Sequence, residues 1–138
     1  MKNFKVRNVI FCEDIREEKS NKHILIGVFG GDLHVAEFPA FIRLAIFTEI
    51  EIKGDIPPKV YLKISGPSEG MALMEAEPRV NSEADNLQSI VISTPSFAIQ
   101  AEAEGVIKVE VGFEEGRLQR IGSKKLILKK GLSSPSQS

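Results

Sequence analysis

Tryptophan is absent from the 138 residues, tyrosine occurs once (Tyr61), histidine twice (His23, His34) and cysteine once (Cys12). A lone thiol excludes an intramolecular disulfide and any all-cysteine metal site. No Asn-x-Ser/Thr sequon is present. No apolar run approaches the ~20 residues needed to span a membrane as a helix. Residues 1–8 are charged, but Glu13 and Asp14 end the apolar stretch that follows before it reaches signal-peptide length. A formal net charge of −1 argues against a protein built mainly to bind a polyanion. The expectation is a cytoplasmic chain with no membrane segment. A single domain is expected over residues 1–131, followed by a disordered Ser-rich tail at 132–138.

Long amphipathic helices are also missing, and alternation takes their place. Ile42, Leu44, Ile46, Thr48, Ile50 and Ile52 fall on one side of an extended chain, against Phe41, Arg43, Ala45, Phe47, Glu49 and Glu51. Period 2 held for that long is a half-buried strand. Val60, Leu62 and Ile64 repeat the pattern, as do Ile107, Val109, Val111 and Phe113. Lys5–Cys12 and Lys22–Phe29 end in continuous apolar runs, which predict strands covered on both faces. Shorter strands are expected at Leu33–Phe38, Ile90–Ile92, Phe97–Gln100 and Leu126–Leu128. Met71–Glu77 contains good helix formers, but Pro78 follows too soon for a free helix, so a strand is expected. Gly30-Gly31, Thr94-Pro95-Ser96 and Glu114-Glu115-Gly116 read as turns, and Asn81–Asn86 as a polar loop.

This pattern predicts an all-β fold of some eight or nine strands, a single antiparallel β-sandwich of immunoglobulin-like or C2-like type. A small β-barrel is the alternative, because strand count does not decide closure.

Each chemical motif meets a simpler explanation. Gly66-Pro67-Ser68-Glu69-Gly70 fits Gly-x-Ser-x-Gly, but both histidines precede Ser68, which breaks the order a nucleophile elbow requires. If Gly30-Gly31 closes a two-residue hairpin, His23 and His34 lie about 13 Å apart along the strands, too far to share a zinc ion. Asp14, Asp32, Asp55 and Asp85 sit one to a segment, whereas calcium wants clustered oxygens. No catalytic residue, metal ligand or cofactor is therefore expected.

From Arg117 onward the charge is one-sided: Arg117, Arg120, Lys124, Lys125, Lys129 and Lys130 are accompanied by no acid. Such a stripe suits nucleic acid. However, no aromatic residue follows Arg117 to provide stacking, and terminal lysines also serve to blunt a sheet edge. Nucleic acid is thus the less favoured partner.

The remaining feature is the charged segment Glu13–Lys22 between two apolar runs. In an extended chain Asp14, Arg16 and Glu18 share one side. A two-residue loop at Ser20-Asn21 would set Ile15 opposite Ile26. Such a hairpin end is expected to be solvated and salt-bridged, each exposed pair contributing ~0–1 kcal/mol. It is also the best candidate interaction surface, formed by Glu13, Asp14, Arg16, Glu18 and Lys22. A small-ligand or carboxylate-dependent site at Glu13, Asp14 and Arg16 would need a pocket beside them.

Cys12-Glu13-Asp14-Ile15-Arg16, Glu18, Lys22, Leu25-Ile26-Gly27-Val28-Phe29, Gly31-Asp32 and Glu37-Phe38-Pro39 together resemble the signature of a family of small, uncharacterised prokaryotic β-rich proteins, grouped as a domain of unknown function. The likeness covers about the first third of the chain. The family usually has aspartate at the position of Glu13 and glycine near Asn21, and its persistent Asp-x-Arg and Lys positions correspond to Asp14, Arg16 and Lys22. The resemblance implies no activity, substrate or cofactor. The expected function is a non-catalytic module that binds another protein or itself, through this hairpin or a terminal-strand edge.

Overall fold

The computed structural model describes residues 4–67, 71–84 and 87–129. Its longest strand, β5 (Ala40–Lys53), carries the alternation read from the sequence: Ile42, Leu44, Ile46, Thr48, Ile50 and Ile52 are all buried. Four elements pair with β5 or extend its sheet. These are β1 (Phe4–Cys12), β8 (Arg79–Ala84), β9 (Leu87–Ser93) and β10 (Phe97–Ala101). The order is β1-β5-β9-β8, and β10 pairs with the first part of β5.

The segment β9–β10 follows β5 with one interruption, at Thr94-Pro95-Ser96. Proline has no amide hydrogen to give a ladder. Thr94 bridges the gap: its amide donates to the Ile46 carbonyl at 3.1 Å, and its hydroxyl accepts from the Ile46 amide at 2.9 Å.

A second sheet contains β4 (Leu33–Val35), β6 (Val60–Ser65), β7 (Met71–Ala76), β11 (Gly105–Glu114) and β12 (Arg117–Leu128), in the order β4-β12-β11-β6-β7. Its β4–β12 pair is parallel and the others are antiparallel. The two sheets share one apolar cluster, in which Leu44, Ile46 and Ile50 meet Leu62, Ile64, Val109 and Leu126. The protein is all-β, and its two sheets enclose one core, an arrangement that fits a sandwich or a barrel. Gly122 lets β1 approach β12, since a Cβ there would lie 3.0 Å from Val9.

Several sequence expectations need correction. Residues 81–84, expected as part of a polar loop, belong to β8, because an outer strand needs only one neighbour and tolerates polar residues. Lys5–Cys12 is not covered on both faces: Phe11 and Cys12 are buried, but Lys5, Arg7 and Asn8 are exposed. Gly30-Gly31 closes no hairpin, since β4 joins β12 instead. The expected tail at 132–138 and residues 68–70 of the Gly-x-Ser-x-Gly segment lie outside the described residues.

One buried side-chain oxygen among the described residues is unsatisfied. Thr48 is fully buried and its Oγ1 has no hydrogen-bond partner among the described residues. Thr48→Val is therefore expected to raise stability by about 1 kcal/mol, read as a higher urea midpoint at unchanged slope.

Candidate functional site

The charged segment forms a ribbon of two strands, β2 (Asp14–Glu17) and β3 (His23–Ile26). It continues the hairpin begun by β1, since the Phe29 amide donates to the Phe11 carbonyl at 2.8 Å. The Glu13 amide is shared between the carbonyls of Ile26 and Gly27, at 2.9 and 3.1 Å. Gly27 has φ +67°, and the Glu13 side chain lies where a Cβ on Gly27 would be. Glycine meets both demands, a left-handed backbone and a close side chain.

The tip differs from a two-residue loop. A 3₁₀ turn at Lys19–Asn21, with Ser20 at φ 73°, is closed by the Glu18 amide donating to the Lys22 carbonyl at 2.7 Å. The register is therefore Asp14 opposite Ile26, Ile15 opposite Leu25, Arg16 opposite Ile24 and Glu17 opposite His23.

Cross-strand partners share a face, so this register sorts the ribbon into two sides. One side carries Ile15, Leu25, Glu17 and His23, and it is fastened to the first sheet. The His23 ring meets Phe47 edge-on with centroids 5.3 Å apart. Glu17 Oε1 accepts from Ser93 Oγ at 3.3 Å and lies 3.8 Å from His23 Nε2. At the base, Ser96 Oγ donates to the Glu13 carbonyl at 2.9 Å and accepts from Arg43 Nε at 2.7 Å. Cys12 and Ala45 are fully buried at this junction, and Cys12 Sγ donates to the Ala45 carbonyl at 3.5 Å. Burial pushes the Cys12 thiol above its ordinary pKa.

The other side holds Asp14, Arg16, Ile24 and Ile26. Ile24 and Ile26 remain 44% and 37% exposed. Asp14 Oδ1 accepts from the Ile15 amide at 2.9 Å. Arg16 makes no ion pair among the described residues, and the Glu17–His23 contact lies on the ribbon's other side. Glu18 and Lys22 are exposed at the tip, and Glu13 is exposed at the base.

Asp14 and Arg16 thus share one side of a strand, as alternation requires, but the two isoleucines beside them are missed from sequence. Ile24-Leu25-Ile26 reads as a doubly covered strand, whereas a ribbon is covered on one side only. Glu17 and His23, the residues that hold the ribbon down, are missed as well.

Two clefts formed by described residues have volumes of about 430 and 500 Å³. The first lies between β1 and β12, the second among Phe4, Pro57, Pro58 and the β11–β12 hairpin. Neither is lined by Glu13, Asp14 or Arg16. Among the described residues, no group of three or more His, Cys, Asp or Glu side chains is placed to hold a metal ion. No helix among them is long and apolar enough to cross a membrane.

The basic run does not present one face. Lys124 turns inward, with Nζ 5.6 Å from the Phe11 ring centroid and donating to the Gly31 carbonyl at 2.8 Å. Arg117 lies 3.6 Å from Glu114, while Arg120 and Lys125 are exposed. Lys130 lies outside the described residues. No family model, curated protein or solved structure matches the chain.

Proposed function

We propose that the protein is a non-catalytic, cytoplasmic interaction module that offers the outer side of the β2–β3 ribbon to a protein partner. The observation that carries this reading is the exposure of Ile24 and Ile26 beside Asp14 and Arg16. Single exposed apolar residues are ordinary. Here two adjoin on one strand, with a charge opposite each. The other side of the ribbon is fastened to the first sheet, so little order has to be gained on binding.

The test compares proteins captured from native lysate by the wild type and by Asp14→Ala/Arg16→Ala. At least one captured protein should fall roughly fivefold or more with the double variant, a loss of about 1 kcal/mol. Identical profiles would remove the ribbon from consideration.

A further inference from the structure

We infer that this ribbon face is the contact surface of a symmetric homodimer, in which Asp14 of each copy pairs with Arg16 of the other and Ile24 packs on Ile26. The inference rests on the surface reading above and names the partner as a second copy of the chain. It follows from the register. One row across the ribbon is Asp14 and Ile26, the next on the same side is Arg16 and Ile24. Rows on one side of a strand are about 6.6 Å apart.

Consider a two-fold axis crossing the ribbon midway between these rows. It sets β2 over β2 and β3 over β3, and it exchanges the rows. Asp14 then meets Arg16, Arg16 meets Asp14, and the two isoleucines of one copy meet those of the other. An isologous interface requires a patch complementary to itself in this way. An axis along the ribbon would instead set charges over isoleucines, so charge and hydropathy together select one orientation.

The groups are available for the exchange. Arg16 has no ion pair among the described residues, and the Asp14 hydrogen bond involves Oδ1. Four-residue strands extend only about 13 Å, so the face falls well short of the ~800 Å² per partner of a stable interface. The dimer is accordingly weak and concentration-dependent.

Light scattering after size exclusion, at low salt and from roughly 10 µM to 1 mM, tests it. The wild-type mass should rise from one chain toward two. Asp14→Arg and Arg16→Asp each create two like-charged contacts across the axis and should weaken association at least about tenfold. An equimolar mixture of the two variants restores opposite charges at both contacts and should restore association. Circular dichroism checks that each variant is folded. A wild type that stays monomeric at about 1 mM, single variants that associate like the wild type, or a mixture that fails to recover would each overturn the homodimer. If the wild type is monomeric but a lysate protein is lost with Asp14→Ala/Arg16→Ala, the surface stands and the second copy is the wrong partner.

Discussion

Ile50→Ala should destabilise the protein by about 3–4 kcal/mol, seen as a lower urea midpoint. Ile50 is fully buried on β5, where β1 pairs with it on one edge through Val6 and β9 on the other through Ile90. Its side chain belongs to the cluster that joins the two sheets. Truncation loses transfer energy and leaves a cavity, because strands paired on both sides of β5 cannot close in freely. An effect below about 1 kcal/mol would mean that the core is far looser than this packing implies.

Gly112→Ala should cost about 2–3 kcal/mol, although alanine is ordinarily well tolerated in place of glycine. The β11–β12 hairpin turns through Glu115-Gly116, with Glu114 opposite Arg117, and its register shifts between Val111 and Glu114. That shift carries the Arg117 carbonyl onto Gly112, where a Cβ would collide with that backbone oxygen as well as with the Leu118 side chain, and the backbone cannot swing aside. Gly116 is the control. A Cβ there meets nothing within 4 Å, so Gly116→Ala should change stability by no more than about 0.5 kcal/mol. Thermal melts of both variants check the contrast, and equal melting temperatures would contradict the assigned register.

Much of this architecture is legible in the residues. The β5 alternation survives because one of its sides faces the opposite sheet along its length. The strand at Met71–Ala76 and the hairpin turn after Glu114 also follow from local chemistry, a nearby proline in one case and Glu-Gly in the other. Other features depend on partners distant in sequence. Leu33–Val35 pairs with Leu126–Leu128, a parallel contact that no local pattern announces. Ile24 and Ile26 look like core residues until the ribbon is seen to have one uncovered side. Lys124 looks solvated until its register opposite Ile107 turns it toward Phe11.

The burial of Cys12 gives the protein a chemical reporter of its own. The sulfur sits beneath the base of the ribbon, against Ala45. A thiol reagent therefore gains access only when that junction opens, and thiolate, the reactive form, is disfavoured while it stays closed. Labelling rates under native conditions would measure how often the ribbon lifts from the sheet, separately from global unfolding.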